Sequence, residues 1–259
     1  MGKFFNVDVN PDIVAGDIST AFDDIGANDI VFDWTAVDVP KGASMLRSVS
    51  AFVNAEDGAY GSGSLTDYEL IFAKSVDGVA PPTMGVTNAA QTGCFPLRHH
   101  YVGSVMLDSV ITKATVTNLA FGVAYVSGTN PSQDFNNGLP LVVDLDPIGG
   151  TNVGYDKLYV AGFQMAARNY NTNVLADGAV DASSALSTTI TVKTVDATKL
   201  FSPGDKVYVM DLDTPIPGTL TKVEAVTLTF SEANTTVDIA DGDELINANP
   251  IRLKLGFEK

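Results

Sequence analysis

The clearest strand pattern of the chain, at residues 187–230, reads STTITVKTVDATKLFSPGDKVYVMDLDTPIPGTLTKVEAVTLTF. Polar and apolar residues alternate over Thr189–Val195 and again over Lys206–Met210, and this is the period of a half-buried β-strand. The turn between the two runs is Ser202-Pro203-Gly204-Asp205, in which proline and glycine suit the two corners of a type II turn. The stretch therefore predicts a small β-module, and it contains no recognisable catalytic motif.

The same two-residue period recurs through the N-terminal part of the chain, whereas helical periodicity is nearly absent. β-Branched residues dominate its apolar runs, and this composition favours strands over buried helices. The predicted strands cover Asp29–Val39, Leu46–Val53, Tyr68–Ala73, two segments within 101–126, Leu139–Leu145 and Leu158–Met165. The sequence therefore predicts an all-β protein: a jelly-roll-like β-sandwich followed by a small C-terminal β-barrel or sandwich module.

A change in composition suggests where the two parts meet. Residues 169–187 are built from small and polar side chains, as is common in linkers. We predict an N-terminal sandwich over residues 1–174, a linker over 175–187 and a C-terminal module over 188–259. The last strand of that module is expected at Ile251–Phe257.

Charge and composition exclude several classes of partner. The formal net charge is −16 and the sequence pI is about 4.2, so the chain is a poor partner for nucleic acid or anionic membranes. Cys94 is the only cysteine, so an intrachain disulfide cannot form. No apolar segment has the features of a signal peptide or a membrane span, so we expect a protein made in a host cytoplasm and not secreted.

Residues 1–12 are predicted to form an N-terminal arm. Apolar residues alternate there with polar ones until Pro11 ends the run. A terminal strand of this kind pairs either with an edge of its own sheet, which we favour, or with a neighbouring molecule. The candidate interface residues are Phe4, Phe5, Val7 and Val9.

Catalytic and metal-binding readings find little support in the residue pattern. Cys94, His99 and His100 lie close in sequence, but no third residue is available to orient a Cys–His pair, and they cannot supply a normal zinc site. We therefore interpret the three residues as ordinary loop residues, and we expect no catalytic residues, no metal ligands and no cofactor. Acidic clusters that could bind calcium weakly, but that are more typical of solvated turns, occur at 54–57, 144–146, 211–213 and 241–244.

Several segments resemble virion structural proteins of tailed bacteriophages, especially marine, cyanophage-like ones. The C-terminal segments LFSPGDKVYV (200–209), GTLTKVEAVTLTF (218–230) and ELINANPIRLKLGFE (244–258) resemble modules of such proteins. The N-terminal segments NDIVFDWTAVDVP (28–40), LRSVSAFVNAEDGAY (46–60) and YELIFAKS (68–75) are similar to their jelly-roll-like domains. The resemblance lies in the style of strands and turns, so no functional residue is carried over from it.

This resemblance implies a capsid decoration, or cement, protein located in the virion. Its partners would be the major capsid protein or other virion proteins, and it would form a homo-oligomer, with a trimer favoured. A receptor- or carbohydrate-binding protein of a tail or fibre is the alternative, with Tyr60, Phe95, Tyr101 and Phe135 as its candidate aromatic residues. A β-sandwich hydrolase is a third, less favoured possibility.

Overall fold

A computed structural model of the chain describes residues 2–13, 25–39, 42–54, 67–76, 78–91, 98–107, 119–125, 139–145, 157–168, 170, 172–181, 187–210, 212 and 214–259. These residues form strands and short turns but no α-helix, so the predicted all-β class is confirmed. The strands are β1 Phe4–Val9, β2 Ile30–Val37, β3 Ser44–Asn54, β4 Tyr68–Lys74, β5 Tyr101–Leu107, β6 Leu119–Tyr125, β7 Leu141–Val143, β8 Leu158–Gln164, β9 Leu175–Ala176, β10 Thr189–Lys193, β11 Val207–Val209, β12 Leu220–Glu224, β13 Thr227–Phe230, β14 Leu245–Asn247 and β15 Ile251–Glu258.

Two antiparallel sheets form the larger part of the molecule. The first sheet has the order β1-β15-β3-β6, with β7 also paired to β3, and the second has the order β2-β8-β4-β5. The pairs are nested, because β1 pairs with β15, β2 with β8, β3 with β6 and β4 with β5.

The apolar faces of the two sheets meet in one large core. Along β3, Leu46, Val49, Ala51 and Val53 are buried, and the residues between them are partly exposed. The second sheet contributes buried residues such as Phe72 to the same core. Each fully buried side chain of this size stabilises the fold by about 1.5–3 kcal/mol, so the alternation seen in the sequence fixes which face turns inward.

Strands β9 to β14 form a smaller module that is inserted between β8 and β15. Its sheets have the orders β12-β13-β10-β9 and β11-β14, and a separate apolar core that includes Ile190 and Leu228 lies within it. The predicted turn is present, because Asp205 N donates to Ser202 O at 3.1 Å and Gly204 has a φ of +95°. The chain enters and leaves the module at adjacent points, where Leu245 N donates to Val174 O at 2.8 Å.

The arrangement along the chain differs from the division that the sequence suggested. Strand β15 pairs with β1 and β3, so the last strand completes the sandwich and is not part of the C-terminal module. The described part of the expected 175–187 linker also differs, because β9 pairs with β10 and Val180 pairs with Ile239. Local composition cannot show this, since the pairing partners lie far away along the chain.

Candidate interaction surface

The arm predicted from the sequence is β1, an outer strand of the first sheet. It pairs with β15 from Phe4, opposite Glu258, to Val9, opposite Leu253. The described structure therefore has the own-sheet pairing of the arm. Its pairing along the other edge, with a neighbouring molecule, stays a prediction.

The four candidate interface residues do not share one environment. Val9 is buried, Val7 is half-buried against the core, and the half-buried Phe5 ring stacks on Phe257 with centroids 5.3 Å apart. Phe4 points the other way and is 73 % exposed. Phe4 is thus the member of the set that is available to a partner, while the other three also hold β1 onto the sandwich.

The backbone of β1 offers a pairing edge of its own. Lys3 and Lys259 exchange two backbone hydrogen bonds of 2.9 Å, which makes them a hydrogen-bonded pair of the ladder. Because such pairs alternate in an antiparallel ladder, Phe4, Asn6 and Asp8 direct their N–H and C=O groups away from β15. Among the described strands, none pairs along that outer edge. An edge of this kind can accept a further strand.

The two histidines are separately engaged. Arg98 Nε donates to His99 Nε2 at 3.0 Å, and His100 Nδ1 lies 2.9 Å from Lys74 O. Cys94 lies outside the described residues. Within the described chain, no group of three or more His, Cys, Asp or Glu side chains is placed to hold a metal ion.

Two carboxylates of the acidic cluster at 241–244 accept hydrogen bonds from neighbouring segments of the chain. Asp241 Oδ1 accepts hydrogen bonds from Lys193 Nζ and Gly178 N, and the Lys193 bond is the main cause that lowers the pKa of Asp241. Glu244 Oε1 accepts bonds of 2.9 Å from Thr172 N and Asn173 N. Asp241 and Glu244 thus connect the 241–244 segment to the chain around residues 172–178 and to Lys193. The clusters at 54–57, 144–146 and 211–213 lie partly or wholly outside the described residues.

The sequence did not single out a polar cluster that joins the module to the sandwich, here called the junction hub and made of Asp205, Asn247 and Arg252. Arg252 Nη2 donates to Asp205 Oδ1 at 2.6 Å, and Asn247 Nδ2 donates to Asp205 Oδ2 at 2.9 Å. Asp205 is 1 % exposed, and burial raises its pKa although Arg252 opposes that shift. The only local signal was a polar residue at a turn, and turn carboxylates are usually solvated.

Of the four aromatic residues that are candidates for carbohydrate binding, Tyr101 is the one that the structure describes. Tyr60, Phe95 and Phe135 lie outside the described residues, whereas Tyr101 begins β5 and is 50 % exposed. One exposed ring is not by itself a sugar platform.

Comparison with known proteins adds no assignment, because neither a protein family nor a curated protein matches this sequence. In the part of the chain that the structure describes, no helix combines the length and apolar character needed to cross a bilayer.

Proposed function

We propose that this chain is a non-enzymatic structural protein of a bacteriophage particle, and that it binds and stabilises the outer surface of the capsid. The single observation that carries the proposal is the outer strand β1, whose outer backbone edge pairs with no described strand and which also carries the exposed ring of Phe4. An edge strand with an aromatic anchor is suited to adding onto another protein. If the same contact is repeated over the capsid lattice, multivalent binding would be strong even when each single contact is weak.

The strand order is a second support. Two sheets in the orders β1-β15-β3-β6 and β2-β8-β4-β5, with nested pairs, support the proposal of a jelly-roll-like sandwich, in which the inserted module would precede the last strand. Viral capsid proteins use this fold, but so do lectins and cupins, so the fold alone is an argument by analogy. The likeness to phage virion segments favours the viral member of that group.

The major capsid protein is the proposed partner. The chain would also associate with itself at the particle surface, with a trimer favoured. The alternative is a tail or fibre protein that binds a receptor or carbohydrate, and the exposed ring of Tyr101 is the observation in its favour.

The test uses particles of the virus that encodes the chain, separated into heads and tails. Purified protein added to heads that lack it should cosediment with them and raise the temperature at which they release DNA. Tails run in parallel are the control. Cosedimentation with tails alone, or saturable binding to host-surface glycans, would favour the alternative instead.

A further inference from the structure

The sandwich has two unlike ends. The inserted module joins it at the end of β8, after Gln164, and at the start of β15, before Ile251. The opposite strand ends, at Leu158 and Glu258, form what is here called the distal end. The two sheets come together there, because Lys74 Nζ, at the end of β4, donates to Asp144 O, just after β7, at 3.2 Å.

Exposed apolar side chains are concentrated at the distal end. Phe4 pairs with Glu258, which pairs with Met45, which pairs with Val142, so the four form one row across the first sheet. Phe4 and Val142 are 73 % and 64 % exposed. In the second sheet, Tyr101 is 50 % exposed, and Val79, which bridges to Val76 beyond the end of β4, is 65 % exposed. Single exposed apolar residues are normal, but several at one end mark an interaction site.

Among the described residues of the distal end, positive charges outnumber negative ones, in contrast to the strongly acidic chain as a whole. The whole sequence has 15 Lys and Arg against 31 Asp and Glu. The described cationic residues at the distal end are Lys3, Arg47, Lys74, Arg98, Lys157 and Lys259, together with both histidines. The described acidic residues there are Asp38, Asp144 and Glu258, of which Glu258 is paired with Arg47 at 2.7 Å.

A shallow depression of about 320 Å³ lies within this surface and is lined by Met45, Arg47, Val142 and Glu258. Ser44 also lines it, is only 6 % exposed, and has no hydrogen-bond partner for its Oγ among the described residues. Buried hydroxyls normally have such a partner. The depression therefore suits a residue that brings both an apolar group and a polar atom.

We infer that the distal end is the attachment surface of this protein, and that it recognises an acidic protein surface that carries apolar side chains. Two copies placed distal end to distal end would oppose cation to cation, which disfavours a symmetric self-contact. The net charge of −16 opposes binding to nucleic acid. Identifying the acidic partner as the capsid lattice rests on the proposed function, and in that case the inserted module faces outward.

The first test measures binding of labelled poly-L-glutamate, and separately of a labelled DNA duplex, at low ionic strength. The distal variant Lys3→Glu/Lys157→Glu is compared with Lys199→Glu/Lys222→Glu, which makes the same charge change at exposed positions of the inserted module. The distal variant should bind poly-L-glutamate about tenfold more weakly, and the module variant should stay within about twofold of wild type. Equal losses in both variants, or no binding by the wild type, would refute the distal end as the attachment surface. Tighter binding of the DNA duplex than of poly-L-glutamate would refute an acidic protein as the partner.

The second test uses viral heads, with Phe4→Ser/Val142→Ser as the apolar variant and Val226→Ser, at an exposed position of the module, as its control. Heads should bind wild type and control alike and lose the apolar and distal variants. Binding of every variant to heads would refute the attachment surface while leaving the proposed function intact. Binding of wild type to poly-L-glutamate but not to heads would refute the proposed function and leave the surface standing.

Discussion

Neighbouring residues of β1 face opposite ways, and this separates two roles that the sequence could not divide. Phe5 stacks on Phe257, whereas Phe4 is largely exposed. Replacement of Phe5 by Ser should lower the free energy of unfolding by about 1–3 kcal/mol, because it removes buried aromatic surface. Phe4→Ser should change it by less than about 0.5 kcal/mol, as is usual for exposed positions.

Urea denaturation followed by circular dichroism measures both variants, and each serves as the control for the other. A similar loss of stability in the two variants would mean that Phe4 is packed in solution and is not available to a partner.

Asp205 allows a prediction about pH. Both oxygens of its carboxylate accept hydrogen bonds, from Ser202 N, Asn247 Nδ2 and Arg252 Nη2. In an asparagine side chain the NH2 group would replace one of these oxygens, and it would face a hydrogen-bond donor that it cannot pair with. We expect Asp205→Asn to destabilise the chain by about 1–3 kcal/mol at neutral pH. Measured unfolding free energies of wild type and variant across a pH series give this difference directly.

The sign of the pH dependence follows from the direction of the pKa shift. Burial raises the pKa of Asp205 above its ordinary 3.8, so the folded chain holds the proton more tightly than the unfolded chain. Asp205 therefore adds stability below its unfolded pKa and loses it as pH rises through the folded value. The penalty of Asp205→Asn should thus grow as the pH is lowered from neutrality towards the unfolded pKa of 3.8. A penalty that shrinks on acidification would show that the pair with Arg252 outweighs burial.

At the scale of elements, local pattern predicted which segments are strands but not how they pair. Ile251, Leu253, Leu255 and Phe257 alternate with other residues and are all buried in β15, as a strand requires. The partner of β15 could not be predicted, because period two fixes the face of a strand and leaves its neighbour open. The chain's two ends meet in the β1–β15 pair, which only the nested topology explains.

Strand β2 shows that period two does not always give even the face of a strand. Strict alternation would put Ile30, Phe32 and Trp34 on one buried face, but Val31 is buried as well and Trp34 is only partly so. The register against β8 shifts twice, on either side of Phe32. Gly162 in β8 leaves room for the ring of Phe32, since a Cβ at that position would overlap it. A register shift opposite so distant a part of the chain has no signature in the local sequence.

The candidate surface was predictable in the same limited way. The arm was visible as alternating residues near Pro11, and Phe4 belonged to the set chosen from it. The distal end was not visible, because Lys3, Lys74, Lys157 and Lys259 are spread along the whole chain and are gathered only by the ends of β1, β4, β8 and β15.

At the scale of the whole molecule, the contacts between module and sandwich allow a prediction of how the chain unfolds. Tyr208 and Ile246, from the paired strands β11 and β14 of the module, belong to the core of the sandwich. Asn54 Nδ2, at the end of β3, donates to Leu200 O of the module at 2.7 Å. These shared contacts, with the junction hub, should make the two parts unfold together.

Trp34, the only tryptophan, lies in β2 and so reports on the sandwich alone. Leu228 is fully buried in the separate core of the module, and Leu228→Ala should destabilise that core by about 2–5 kcal/mol. If the parts are coupled, the Trp34 fluorescence transition shifts down by several degrees, together with the whole-chain circular dichroism signal. The control Val226→Ala, at a position 58 % exposed, should leave both unchanged. A Trp34 transition that stays in place while circular dichroism shows an earlier second step would mean that the module unfolds on its own, and that the sandwich survives without it.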